Sequence, residues 1–218
     1  MENQLKELAA QLSCPEGDAG IELGKSMNLG NLAPILNGLA NLRLRDHDRV
    51  LELGYGNGGL LAYILSLAKD IHYTGLELSA TMHQEAIALN QPFIDAALAQ
   101  YQLYDGITLP FDNETFDKIL TVNTIYFWSQ PSVLLNNIYN VLKTDGYFCL
   151  TFCDKTFMQQ LPFVQYGFRL YDTDEVKQLI GTLPFKLVNE DYRQDTCISK
   201  AGTLVNREFS TLVWQKTV

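Results

Sequence analysis

The chain has 218 residues, 47% of them hydrophobic and 19% charged, which suits one large folded domain and rules out a disordered polymer. With 25 acidic against 16 basic side chains the formal net charge is −9, and a surface of that sign repels phosphate backbones, so nucleic acid is not an expected partner. The first residues lack the basic start and apolar run of a secretory signal, and no apolar stretch approaches the roughly 20 residues needed to span a bilayer. A cytoplasmic protein with no membrane span is therefore expected. Cys14, Cys149, Cys153 and Cys197 form no CxxC pair, and His47, His72 and His83 supply no obvious partners for them. Buried free thiols are expected, and no metal.

In chain order, an amphipathic helix is predicted over residues 4–12, ended by Cys14-Pro-Glu-Gly17, and a second over 31–42. Met27-Asn-Leu-Gly-Asn31 between them reads as a tight turn entering a helix, a structural cap. The periodicity then changes: a buried strand over 49–53 runs into glycines, followed by a helix over 60–68 and a strand over 72–77. Further on come a helix over 81–90 capped by Ser79 or Thr81, strands over 100–104 and 116–123, a helix over 131–142 and a strand over 146–152. A helix over 174–180 precedes two strand-like runs, 185–193 and 206–214, with no helix between them. Alternating strands and helices imply right-handed crossovers. The fold class is α/β, a doubly wound, seven-stranded, mostly parallel sheet closed by an antiparallel pair. One domain covers 1–218: a helical cap over 1–46, a core over 47–153, and a lid, last helix and strand pair over 154–218.

The sharpest local signal is Val50-Leu-Glu-Leu-Gly54-Tyr-Gly56-Asn-Gly58-Gly59, a strand delivered into a turn where side chains would obstruct a ligand. Gly54, Gly56 and Gly59 also satisfy GxGxxG, and Glu77 ends the second strand where a dinucleotide ribose would find an acid. Glu52, two residues before Gly54, separates the two ligand classes. A carboxylate there opposes a pyrophosphate and suits a ligand carrying an ammonium group. The plain alternative is a partly solvated acid that caps the turn.

The run Glu52-Leu-Gly54-Tyr-Gly56-Asn-Gly58 resembles the first motif of class I methyltransferases dependent on S-adenosylmethionine, and the likeness continues in order over about 100 residues. Glu77 resembles that family's ribose-binding acid, Met82 its apolar adenine contact, and Asp105-Gly106 its acidic loop. Phe116-Asp-Lys-Ile119 resembles the start of its fourth strand. Val141-Leu-Lys-Thr-Asp-Gly146 resembles its turn into the fifth, with Thr144 and Asp145 where proline and glycine are usual. The resemblance implies S-adenosylmethionine as cofactor, S-adenosylhomocysteine as product, and a cofactor site built from Glu52, Gly54, Tyr55, Gly56, Gly58, Glu77, Leu78, Met82, Asp105, Gly106 and Asn123. Among its members are enzymes of quinone and lipid biosynthesis, but no residue identifies an acceptor.

Methyl transfer from a sulfonium needs alignment and exclusion of water, and a base only where the acceptor must lose a proton. Candidate acceptor-side residues are Asn123 and Tyr126, in Val122-Asn-Thr-Ile-Tyr-Phe-Trp128, and Tyr166 in the aromatic-rich stretch 154–172. Asn123-Thr-Ile-Tyr126 has the spacing of the Asn-Pro-Pro-Tyr motif of amino-group methyltransferases but lacks both prolines. Phe127 and Trp128 serve either as pocket wall or as helix-to-sheet packing. Residues 154–172 form either a lid over a small, partly apolar acceptor or a surface loop packed on the N-terminal helices. Two other functions stay open: a nicotinamide-dependent oxidoreductase using the literal GxGxxG, and a protein that binds S-adenosylmethionine without catalysis. Oligomeric state is not legible.

Overall fold

The computed structural model describes residues 2–198 and 203–217. Its centre is one seven-stranded sheet in the order β3-β2-β1-β4-β5-β7-β6. The parallel part comprises β1 (Arg49–Leu53), β2 (His72–Glu77), β3 (Ala99–Leu103), β4 (Phe116–Val122) and β5 (Leu142–Cys153). β7 (Leu204–Lys216) runs antiparallel between β5 and β6 (Phe185–Ile198). The sheet is the expected doubly wound one, and its winding reverses between β1 and β4.

Three helices precede the sheet, α1 (Glu2–Ser13), α2 (Gly17–Gly30) and α3 (Leu32–Leu42). α4 (Leu61–Ser66), α5 (Ala80–Asp95) and α6 (Pro131–Val141) are the crossovers, and α7 (Lys155–Met158) and α8 (Thr173–Ile180) follow β5. Both faces of the sheet are buried, as parallel strands require. Val50, Tyr73 and Leu120 pack under α3, α4 and α5 with Leu39, Leu42, Leu61, Ile64 and Ala86. Leu51, Leu53, Ile119, Phe148 and Leu150 pack on the other face with Leu134, Ile138 and Val176 of α6 and α8. The period of two along β1 therefore sends Glu52 to the first face, among the rings of Tyr55, Tyr73 and Tyr101.

The largest departure from the sequence reading is α2. Residues 27–30, expected as a turn, are the last turn of this helix, and only Asn31 breaks the chain before α3. The glycines here serve contact. A Cβ on Gly24 would lie 2.6 Å from Met82 Sδ, and one on Gly20 would lie 2.7 Å from the Pro15 carbonyl carbon. α2 thus lies close against α5 and the turn that precedes it. Smaller differences concern lengths: α4 is shorter than predicted, α5 and β5 are longer, and the α5 cap is Ser79, whose Oγ accepts from Met82 N at 3.0 Å. Asp145, where the related family has glycine, takes the left-handed conformation itself at φ 63°. Among the described residues no helix is long and apolar enough to cross a membrane. Nor is any group of three or more His, Cys, Asp and Glu placed to hold a metal ion.

Candidate functional site

The carboxyl ends of β1, β2, β4 and β5 open into one cavity of about 240 Å³, with α1 and α2 over one side and the segment after β5 over the other. Its place follows from topology, because crossovers leave in opposite directions on the two sides of the β1/β4 reversal and part the loops there.

β1 reaches the cavity at Glu52 and turns at Gly54 and Gly56, both with positive φ, 76° and 59°. A Cβ on Gly54 would meet Thr124 Cγ2 at 2.5 Å, so the loop after β4 sits directly on this turn. A Cβ on Gly56 would meet no atom within 4 Å, and its open side is the cavity. Gly58 lies outside the lining and faces α5, beside Ala86 and Asn90. Asn57 ties the turn together, its Oδ1 accepting from Gly59 N at 3.1 Å and from Asn28 Nδ2 of α2 at 2.5 Å.

Both predicted carboxylates line the cavity. Glu52 Oε2 accepts from the Tyr73 hydroxyl at 2.6 Å. Burial pushes the Glu52 carboxyl up to about 7, opposed by that hydrogen bond and assisted by the negative charge of Glu77. Burial and the neighbouring Glu52 raise the Tyr73 phenol well above its ordinary value, so it remains a donor. Glu77 accepts three backbone hydrogen bonds, from Gly56 N at 2.9 Å, Leu78 N at 2.8 Å and Ser79 N at 3.1 Å. Burial raises its pKa and those three donors hold it down. Tyr55 packs edge-on against Tyr101 at 4.7 Å and shares a 2.7 Å hydrogen bond with His83 Nδ1.

Leu78, Met82, Tyr104 and Gly106 line the cavity beyond Glu77. Asp105 does not. Its carboxylate turns into its own loop, accepting from Ile107 N at 2.8 Å and from Thr108 N at 2.6 Å, which holds it below the usual carboxylate range.

On the acceptor side, Asn123 ends β4 in the left-handed conformation, φ 57°. Its Oδ1 accepts from the Tyr126 hydroxyl at 3.2 Å and from Cys153 N at 3.2 Å, and its Nδ2 donates to Asn31 Oδ1 at 3.2 Å. The buried Tyr126 hydroxyl shares its one proton between Asn123 Oδ1 and Cys153 O at 3.1 Å and accepts from Cys153 N at 2.6 Å, and burial lifts its pKa well above the ordinary value. Phe127 and Trp128 both line the cavity, and the Trp128 indole donates to Thr124 Oγ1 at 3.2 Å. Of residues 154–172, Phe157, Met158, Leu161, Phe163 and Phe168 line the cavity, with Phe168 against Phe127 at 4.6 Å between centroids. Tyr166 is not among the lining residues, and its ring lies under Lys6 of α1 at 5.5 Å.

Sequence reading missed several lining residues. Leu12 and Ser13 of α1 had no signal, while Met27, Asn28 and Asn31 belong to the segment read as a structural cap and not as part of the site, and all five line the cavity. Arg207 of β7 is buried. Its guanidinium donates to both carboxylate oxygens of Asp195, at 3.0 and 2.6 Å, and to Gly30 O at 2.7 Å. An arginine in a strand otherwise facing a core was the one signal available for it.

Residues 51–150 match a family described as methyltransferase domain. Among curated proteins, a fatty-acid O-methyltransferase from Mycolicibacterium smegmatis is 31% identical over 103 residues, 47% of this chain and 36% of that protein. The chain therefore spans about a third of the length of that relative. Among solved structures, a putative methyltransferase in complex with the Trm112 activator from Haloferax volcanii aligns over 98% of both chains at TM-score 0.76 and 17% identity. An S-adenosylmethionine-dependent methyltransferase from Methanosarcina mazei aligns over 83% of this chain and 97% of its own at TM-score 0.64 and 14% identity.

Proposed function

We propose that this chain, which belongs to the class I methyltransferases, binds S-adenosylmethionine at the ends of β1 and β2 and passes its methyl group to a small, largely apolar acceptor held beyond Asn123. The observation that carries this reading is electrostatic. Glu52 and Glu77 face one cavity across a glycine turn, and the one lysine or arginine among the described lining residues, Arg207, is already engaged by Asp195. Such a site favours a ligand carrying ammonium and sulfonium groups and opposes a pyrophosphate.

The residues present fit the cofactor. The ionised Glu52 carboxylate is the partner for an ammonium, and Tyr73 fixes its orientation. Glu77 keeps acceptor capacity for ribose hydroxyls after its three backbone donors are counted. Leu78, Met82 and Tyr104 offer apolar faces to a flat purine. Bound there, S-adenosylmethionine supplies a methyl already activated on sulfur, so that the acceptor's lone pair forms the new bond to carbon as the carbon–sulfur bond breaks toward sulfur. The chain's contribution is alignment and dryness. Thr124, seated on Gly54, and Asn123, held by Tyr126 and Cys153, fix the loop between donor and acceptor spaces. The Tyr126 phenol keeps its proton and acts as a hydrogen-bond donor, not as a base. The apolar acceptor follows from Phe127, Phe157, Met158, Phe163 and Phe168 on the far wall, and a relative named for fatty-acid methylation has an acceptor of that character.

Calorimetric titration with S-adenosylmethionine, S-adenosylhomocysteine and NADH tests the reading. Micromolar binding of the first two, lost in Glu52→Ala, is expected; binding of NADH alone would overturn it.

A further inference from the structure

The cavity is not closed on its acceptor side. Ile198, at the end of β6, lines the cavity and yet is 68% exposed. Its cross-strand partner on β7, Leu204, is 75% exposed. The next pair inward, Cys197 and Val205, also lines the cavity. The cavity therefore runs beside the β6–β7 hairpin to the outside, and the surface at its exit is aliphatic. A lone exposed leucine is ordinary on any protein. An aliphatic side chain that belongs both to a cavity wall and to open surface, with a second opposite it, makes a continuous apolar track.

We infer that the acceptor is an amphiphile with a hydrocarbon chain longer than the cavity, its reacting polar end toward Asn123 and its chain leaving past Ile198 and Leu204. This rests on the methyltransferase reading and adds the acceptor class. Asn31, Asn123 and Arg207 lie together on the wall, Asn31 Oδ1 accepting from Asn123 Nδ2 at 3.2 Å and from the Arg207 guanidinium at 3.5 Å. Arg207 carries its charge compensated by Asp195, so these side chains ask for hydrogen bonding at one end of the ligand and not for a second charge along it. Past them the track is apolar to its mouth. Polar near the donor and apolar toward the exit is the order of an amphiphile inserted head first.

The test uses the whole chain saturated with S-adenosylhomocysteine, titrated with straight-chain carboxylic acids of increasing length and, in parallel, with the matching primary alcohols. Affinity is expected to rise roughly fourfold per methylene, the value of burying one such group, until the chain reaches the mouth. In Ile198→Asp and Leu204→Asp, both exposed enough to leave folding alone, the advantage of the longest ligands over shorter ones is expected to disappear. S-adenosylhomocysteine affinity in each variant reports that the fold is intact. Affinity independent of chain length in both series would overturn the inference, as would a dimer closed over Ile198 and Leu204 that the variants dissolve. Loss of S-adenosylhomocysteine binding by the unmodified chain would instead overturn the methyltransferase reading, so the two failures are distinguishable.

Discussion

Glu52 shows how one side chain couples cofactor binding, pH and stability. Its folded-state pKa is lifted from 4.5 to about 7 by burial. The unfolded chain therefore loses this proton first, and between those two pH values the folded state binds more protons than the unfolded one. By linkage the carboxyl contributes stability that fades as pH rises from 4.5 to about 7, with an upper bound of about 3 kcal/mol. Glu52→Gln, which keeps a hydrogen-bonding group beside Tyr73, is expected to raise the Tm of the unliganded protein above pH 7 and to leave it little changed near pH 4. The same variant should bind S-adenosylhomocysteine more weakly by about 2–3 kcal/mol, the worth of a charge-assisted contact. In the parent protein the ammonium needs the ionised carboxylate, so affinity is expected to fall about tenfold per pH unit below the Glu52 pKa and to level off above it. Calorimetry over a pH series reads both, and a parent curve as flat as that of the glutamine variant would refute the assignment. Glu52 was legible in the sequence because a carboxylate ends an otherwise apolar strand. Tyr73 was not, since only the parallel register that sets Glu52 beside Gly75 brings that phenol within reach. Asp105 was misleading in the other direction: the acid and glycine sit where the family has them, but local backbone donors claim the carboxylate.

At the scale of elements, the crossovers and strands were legible because burial on two faces leaves strong apolar patterning. α2 was not, because its Gly17, Gly20, Gly24 and Gly30 carry the signature of turns. Packing reverses that meaning, since Gly20 and Gly24 let α2 lie where a side chain would hold it off. Gly20→Val is expected to destabilise by about 1–3 kcal/mol, because the added atoms meet backbone at Pro15 and not a side chain able to swing aside. It should weaken S-adenosylhomocysteine binding as well, since Met27, Asn28 and Gly30 of the same helix line the cavity. Urea denaturation and calorimetry on one preparation check the pair. β6 runs farther than its patterning suggested, and that extra length sets Asp195 opposite Arg207, whose guanidinium also donates to Gly30 O and so joins β7 to the end of α2. Arg207→Met would leave the largely buried Asp195 carboxylate without its partner, at a cost of about 2–3 kcal/mol. A loss below about 0.5 kcal/mol in urea would mean that the clasp contributes no more than a surface ion pair.

For the whole molecule, a ligand that binds only the folded state stabilises all of it. S-adenosylhomocysteine at 100 times its Kd is expected to add about 2.7 kcal/mol and to raise the Tm by about 5–10 °C, with no shift from NADH at equal concentration. A thermal scan reads this directly. The cavity's place at the reversal between β1 and β4 was legible from the order of elements. Its acceptor half was not, because that half is assembled from α1, α2, the segment after β5 and the hairpin, which only the folded sheet brings together.

The strand order 3-2-1-4-5-7-6 has a consequence for how the chain is made. β6 leaves the ribosome before β7, yet its sole partner in the sheet is β7, so it has nothing to join when it appears. Until the last strand in chain order slides in, β5 keeps a bare edge along Tyr147–Cys153, seven consecutive paired positions flanked by buried apolar side chains. A nascent chain stalled after β5 has emerged and before residue 204 would present that edge to any extended segment nearby, including β5 of a neighbouring copy. The acceptor exit, built from the same two strands, is the last part of the cavity to come into being.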